Sequence, residues 1–245
     1  MTPPLVVAYG GGVNSTAMLV EFHRRGIKPD LILFADTGGE RPETYETVRK
    51  VSQWCVDGGF DPIVTVTNTG ASLEQDCLTR KALPSIAYGF KTCSDRWKHR
   101  PQQKYLNKWL AGREQFTKAL GFDAGESRRA KVSPDEGCTN WFPLIEWNLH
   151  RDDCEAICKS EGLPTAKSSC FFCPSMKKWE IIELAKMHPD LAARAVAMER
   201  NAELTTVKGL GRNFAWEDII RMDKEQLDLF CDIGTPEEPC GCYDG

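Results

Sequence analysis

Leu5-Val6-Val7-Ala8-Tyr9 is an unbroken apolar run closed by Gly10-Gly11-Gly12. A short run of this kind, rich in β-branched residues and ended by glycine, reads as a buried parallel strand. From Ser15 to Arg25 the period changes. Met18, Leu19 and Phe22 fall on one helical face, and Glu21, His23 and Arg24 on the other. That predicts an amphipathic helix capped by Asn14 or Ser15 and stopped by Gly26. Leu31 to Ala35 predicts a second strand, Pro42 to about Asp57 a second helix ended by Gly58-Gly59, and Ile63 to Thr67 a third strand. Strand and helix alternating at this spacing imply an α/β fold: a parallel twisted sheet, Rossmann-like, with helices on both faces. After Thr69 the pattern loosens. Pro84, Pro101, Pro134 and Pro143 divide it into short segments, which predict loops over the carboxyl ends of the strands, where open α/β sheets bind ligands. From Pro174 a helical C-terminal extension is expected, with helices around Lys178–Met187, Pro189–Leu204 and Trp216–Phe230.

Composition narrows the class. A chain of 245 residues with 41% hydrophobic and 27% charged residues suits one large domain with a packed core. No apolar run approaches the roughly 20 residues that span a bilayer, and no secretory leader pattern precedes Leu5. The expectation is a cytoplasmic protein without a membrane partner. Eleven cysteines are many for such a protein. A reducing compartment argues against a disulfide framework, so metal ligation or thiol chemistry is expected for some of them, and burial for the rest.

The net charge of −4 disfavours indiscriminate nucleic-acid binding, but the charge is uneven. Lys91 to Lys131 holds eleven Lys/Arg against four Asp/Glu, and Asp232 to Gly245 holds four acids and no base. Lys91, Arg96, Lys98, Arg100, Lys104 and Lys108 alternate with Trp97, Tyr105 and Trp109. This suits contacts to a sulfo-nucleotide or stacking on the bases of a nucleic acid. The alternatives are a solvated basic face and, for Trp109, core packing.

The glycine loop is the sharpest local signal. A strand running through three glycines into a helix start places successive backbone N–H groups and the helix N-terminus toward an anion. The candidate binding segment runs Tyr9, Gly10, Gly11, Gly12, Val13, Asn14, Ser15. It lacks the G-x-x-x-x-G-K-[ST] pattern. It fits a dinucleotide fingerprint poorly because Ser15 stands at the third glycine, although Asp36, at the end of the second strand, sits where a ribose-binding acid belongs.

The loop resembles the S-G-G-x-D-S pyrophosphate loop of the PP-loop superfamily. Asp36-Thr37-Gly38 through Pro42-Glu43-Thr44 resembles the DTG…PET segment of the phosphoadenosine phosphosulfate (PAPS) reductase family within it. Cys93 through Pro101 resembles that family's C-x-x-x-x-K-x-x-P, Gly121 through Arg129 its G-x-x-x-x-E-S-x-R, and Pro143 through Trp147 its P-L-I-x-W; Gly162-Leu163-Pro164 follows in order. The set spans about residues 5–175 and includes a likeness to members active in DNA phosphorothioation. The resemblance implies an adenine nucleotide, ATP or PAPS/adenylyl sulfate, bound by the glycine loop with Asp36, Thr37, Gly38, Glu126 and Ser127, and with Mg²⁺ as a companion ion. Lys98, Arg128 and Arg129 would offset charge at the group under attack. The loop departs from the pattern at Gly10, where Ser is usual, and at Asn14, where Asp is usual and where an amide brings no negative charge toward Mg²⁺.

Cys170-Phe171-Phe172-Cys173 is a C-x-x-C, able to chelate a metal or form a redox couple. The resemblance adds Cys93, 77 residues upstream, as a ligand of a [4Fe–4S] cluster, with Zn²⁺ as the competing metal. Cys158, one helical turn from Cys154, is the expected fourth ligand. Cys154, Cys55, Cys77 and Cys231 read as packing residues. The ending Glu238-Pro239-Cys240-Gly241-Cys242 partly resembles the nucleophilic tail of PAPS reductases, making Cys240 and Cys242 candidate nucleophiles.

The expected organisation is a nucleotide-binding unit over 1–175, a helical extension of the same domain over 176–232 and an acidic tail over 233–245. The expected activity is adenylation with pyrophosphate release for sulfur transfer, or reduction of a sulfo-nucleotide. The partner is an adenine nucleotide, with a nucleic acid or a sulfur-donor protein as a second partner and oligomerisation open. The alternatives are a nucleotide- and iron–sulfur-binding regulator without turnover, or a dinucleotide-binding protein.

Overall fold

The computed structural model describes residues 2–68, 70–84, 86–87 and 90–225. Its centre is a five-stranded, wholly parallel sheet in the order β3-β2-β1-β6-β7. The strands are β1 (Leu5–Tyr9), β2 (Leu31–Asp36), β3 (Val64–Thr67), β6 (Phe116–Leu120) and β7 (Cys138–Trp141); β4 (Ile86–Ala87) and β5 (Phe90–Lys91) form a small antiparallel pair apart from it. The first half of the chain follows the predicted order. Helix α1 (Val13–Arg24) joins β1 to β2, and α2 (Pro42–Asp57) joins β2 to β3.

Alternation along the strands explains the layering, since successive side chains point to opposite faces. Val7, Tyr9, Ile32 and Phe34 pack with α1, α2 and α7 (Arg151–Ser160) in one core. Val6, Leu31, Leu33, Ala35 and Val66 pack on the other face with Leu106 and Leu110 of α5 (Arg100–Leu110). Both faces are covered, as the unbroken apolar strands require. A third core lies outside the sheet. It joins α3 (Leu73–Thr79), Trp97, Phe171 and Phe172 to α8 (Lys178–Met187), α9 (Pro189–Asn201) and α10 (Trp216–Glu225). The helical C-terminal extension is thus built onto the C-x-x-C segment.

Two expectations need correction. The first helix is not capped by Asn14 or Ser15. Its N-cap is Gly12, with extended backbone and no side-chain cap, and Asn14 and Ser15 lie in the first turn. The region after Thr69 is not only loop. It contributes β6 and β7 to the sheet, with α4 (Thr92–Ser94), a π-helical turn over Asp95–His99 and α5 before them, and a 3₁₀ segment over Ala124–Lys131 and α6 (Pro143–Glu146) after β6. Strand β6 escaped the pattern because Lys118 interrupts its apolar run. The Lys118 side chain is buried and donates to Asp135 Oδ2 at 2.7 Å, while Asp135 Oδ1 lies 2.8 Å from His99 Nε2.

Those hydrogen bonds, His99 first and Lys118 next, hold the Asp135 carboxyl below its ordinary range. A depressed carboxylate contributes stability above its unfolded pKa and loses it as pH falls through the folded value. The Asp135→Asn variant is expected to lose about 3 kcal/mol at pH 7, because it strands the buried Lys118 charge. The difference from wild type should narrow once pH drops below about 4, as read by urea unfolding across a pH series.

Candidate nucleotide site

In an open parallel sheet the crevice lies where neighbouring strands send their connections opposite ways. Here β2 and β3 extend the sheet to one side of β1, and β6 and β7 to the other. The carboxyl ends of β1 and β6 therefore form the switch point, and the glycine loop follows β1 directly. Gly11 has φ +76, and a Cβ there would sit 3.1 Å from Thr44 Cγ2 and 3.3 Å from Phe34. At the end of β6, a Cβ on Gly121 would meet the Ser15 backbone at 2.9 Å. Two glycines thus let the start of α1 press between β6 and the β2–α2 loop. The helix has no side-chain cap and no acid in its first turn. Its leading N–H groups lack intrahelical acceptors and carry the positive end of the helix dipole. Inside the turn, Ser15 and Thr16 hydroxyls donate to Gly12 O at 3.1 and 2.9 Å. Tyr9 is fully buried with its hydroxyl 3.0 Å from Thr16 Oγ1, so its side chain serves the core and not the crevice.

Asn14 is the most constrained residue of the loop. Its Nδ2 donates to Asp123 Oδ2 at 2.9 Å and to Glu126 Oε2 at 3.1 Å, and its Oδ1 accepts from Arg151 Nη1 at 3.3 Å. Asp123 also caps the 3₁₀ segment through Gly125 N–H at 2.9 Å. Arg129 pairs with Glu126 and lies over the Phe122 ring at 4.5 Å. The departure from the resembled pattern thereby acquires a physical reason. Two carboxylates already face this position, and an amide can donate to both where a third carboxylate would repel them. Ser127 and Arg128 are exposed beside this network.

The β2–α2 loop forms the other wall. Asp36 Oδ1 accepts from Gly38 N–H at 2.7 Å and from Tyr45 OH at 2.8 Å. Thr37 Oγ1 donates to Glu40 Oε1 at 3.2 Å and lies 3.1 Å from Cys170 Sγ. Lys98 Nζ lies 3.5 Å from the same Glu40 oxygen. Buried side-chain atoms without hydrogen-bond partners occur in this loop, at Glu40 Oε2 and Arg41 Nε, and in the first turn of α2, at Glu43 Oε2 and Thr44 Oγ1. Unsatisfied buried polar atoms are costly and rare, and Thr44 is the residue that a Cβ on Gly11 would strike.

The predicted metal ligands divide. Cys93, Cys170 and Cys173 pack against the same helical core. Cys158 is in the sheet core with Cys154, its thiol aimed at Val13 O at 3.5 Å and pushed up to about 12 by burial. Among the described residues no three His, Cys, Asp or Glu side chains are gathered to hold a metal ion. In the basic segment Trp97 is buried, and Tyr105 and Trp109 pack on the sheet's second face, so the rings belong to cores and do not form a stacking platform. Cys231, Cys240 and Cys242 lie outside the described residues. Sequence reasoning missed Asp123, Arg151 and Glu40. Only the fold brings Arg151, 137 positions along the chain, onto Asn14.

No family model matches the chain. The uncharacterized nin region protein ORF290 of Escherichia phage lambda is 28% identical over 197 residues, 69% of this chain and 64% of that protein, so the match spans less than two thirds of the relative's length. Among solved structures, the U34-tRNA thiolase NcsA from Methanococcus maripaludis with its [4Fe-4S] cluster is similar over 98% of this chain and 79% of its own, with a TM-score of 0.50 and 14% identity. The phosphoadenylyl-sulfate reductase from Candida auris, a phosphate complex, is similar over 67% of this chain and 75% of its own, with a TM-score of 0.43 and 20% identity. At such identities the likeness to NcsA speaks for the fold alone. Among the described residues no helix is long and apolar enough to cross a membrane.

Asn14→Asp tests the clasp. Three facing carboxylates raise one another's pKa, so the penalty is full at high pH and fades as protons bind. The variant is expected to lose about 1–3 kcal/mol at pH 8 and to recover much of it near pH 5, by urea unfolding at both pH values. Wild-type stability at pH 8 would contradict the clasp.

Proposed function

We propose that the chain is a PP-loop enzyme that binds an adenine nucleotide with its phosphates on the open start of α1, and that it adenylates an acceptor with release of pyrophosphate. The observation that carries this reading is the uncapped N-terminus of α1 at the switch point, with the unpartnered Thr44 hydroxyl on the residue that Gly11 approaches. Asp36, Thr37 and Gly38 stand on the side where the nucleoside would lie. The unit over 1–175 would carry the chemistry and 176–232 would brace it.

The electrostatics favour ATP over a sulfo-nucleotide. Asp123 and Glu126 are buried at the mouth of the phosphate site. Two carboxylates repel a bare anion, but they suit a triphosphate that arrives with Mg²⁺. In this reading Asn14 spaces the acids, and Arg129 and Arg151 anchor the clasp that aims them. Exposed Arg128 is assigned the α-phosphate in this reading. Lys98, balanced here by Glu40, would follow the nucleotide. The acceptor is a nucleic-acid base or a small molecule awaiting sulfur, and a sulfur-donor protein or the tail thiols Cys240 and Cys242 would deliver it.

The test is pyrophosphate release with ATP and Mg²⁺, alongside sulfite release from phosphoadenosine phosphosulfate. The wild type is expected to release pyrophosphate and no sulfite, and Glu126→Gln to lower the rate by about 10²-fold. Tight nucleotide binding without release would sink the enzyme reading in favour of a regulator. Sulfite formation that Cys240→Ser or Cys242→Ser abolishes would replace adenylation with reduction.

A further inference from the structure

Strand β3 closes the sheet on one side. Its inner edge is paired in parallel with β2, from Leu33 and Val64 to Asp36 and Thr67, in an unbroken register. Its outer edge meets no other strand among the described residues, and no turn, loop or cap there takes a backbone hydrogen bond from Val64–Thr67. Such an edge is a row of N–H and C=O groups ready to pair with another extended chain. Folded proteins blunt it with lysine, proline, a bulge or a charge. Val64-Thr65-Val66-Thr67 carries none of these. All four residues are β-branched and uncharged, which suits pairing. The entry to the strand is also fixed, since Ile63 N–H donates to Ser52 Oγ of α2 at 3.0 Å.

The surface beside this edge is apolar and open. One face of α2 sends Val51 and Cys55 into the sheet core. Its neighbouring face, with Tyr45, Val48 and Val56, borders a groove of about 490 Å³ that Phe34, Ile63 and Thr65 also line. Tyr45 is 38% exposed and Val56 47%. Thr65 and Thr67 are exposed as well, where a covering helix would bury them. Exposed apolar side chains sharing a groove beside an unpaired strand edge mark a protein interface.

The edge itself selects the occupant. A two-fold axis perpendicular to the sheet at Thr65 lays β3 antiparallel to its own copy and keeps both faces of the sheet aligned. Directly opposite residues then share a face. Thr65 meets Thr65, Val64 meets Val66, and Ile63 meets Thr67. Every pair is of β-branched residues, which favours the ladder, and none sets like charges together. A strand that complements itself in this way is what a two-fold contact requires. The two grooves fall on the same side of the joined sheet and run together across the axis.

We propose that β3 pairs with β3 of a second copy of the chain, joining two five-stranded sheets into one, and that the apolar groove is the remainder of this interface. The groove is needed as well as the edge, because a stable dimer buries on the order of 1,200–2,000 Å² and four paired residues do not reach it. Tyr45 lies in the groove and its hydroxyl donates to Asp36, so the pairing would steady the Asp36 side of each crevice. The interface stands independently of the nucleotide reading.

The experiment is sedimentation equilibrium of the full chain across a concentration series, without nucleotide, so that its outcome and that of the pyrophosphate assay are separable. The expected species at high concentration has twice the 27.5 kDa mass of one chain. Thr65→Lys and Thr65→Glu each set like charges face to face across the axis, and each should weaken association at least about tenfold. Mixing the two variants sets Lys against Glu and should restore the doubled mass. Amide exchange on wild-type protein gives a readout that needs no variant: the backbone N–H groups of 64–67 should slow on association. A wild type that stays monomeric, a dimer that Thr65→Lys leaves unchanged, a mixture that stays monomeric, or exchange at 64–67 indifferent to association would each overturn the proposal.

Discussion

The start of α1 is held between two surfaces that a single side chain on either would push away. Gly121 lets the Ser15 backbone lie against the end of β6, and Gly11, in a left-handed conformation, lets the turn pass under Thr44. A larger residue at either point costs strain or displacement. This close approach is what the rest of the crevice depends on. It brings Asn14 within reach of Asp123 and Glu126, it aims unpaired N–H groups at the switch point, and it sets the β2–α2 loop as the facing wall.

A second set of contacts extends from that wall. The β2–α2 connection is shared: Thr44, in the first turn of α2, meets the glycine loop, while Glu40 and Arg41 are paired with Cys170 and Ser169. The helical extension grips the same corner from behind, since Phe171, Phe172 and Met176 belong to its core and Arg41 donates to the Glu180 carbonyl at 3.4 Å. The C-x-x-C segment is thereby joined by backbone pairing to the wall of the crevice.

The legible part of the sequence was the part whose pattern is local. The first three strands and two helices follow from apolar runs, Pro42 and the Gly58-Gly59 stop, and α2 runs Pro42–Asp57 where the pattern ends it at about Asp57. The glycine loop and Asp36–Gly38 stand out in the sequence because their signal lies in consecutive residues. Strand β6 could not, because a buried lysine breaks its run and the acid that satisfies it lies 17 residues away. The helix cap was misread because Asn14 and Ser15 have good capping side chains, yet Asn14 spends its amide on two distant carboxylates. Cys158 and Cys154 share a helical face, but that face turns into the sheet core. Arg151, Asp123 and Glu40 act through contacts that the fold alone creates.

The central claim is that the open end of α1 is a phosphate site whose acids wait for a metal-bound nucleotide. A crystal structure with a non-hydrolysable ATP analogue and Mg²⁺ tests it most directly. Phosphate density on the N–H groups of Gly11 to Ser15, with the ion on the Asp123–Glu126 side, is the expected result. Nucleotide bound elsewhere, or phosphates held away from the start of α1 in an otherwise intact fold, would contradict it.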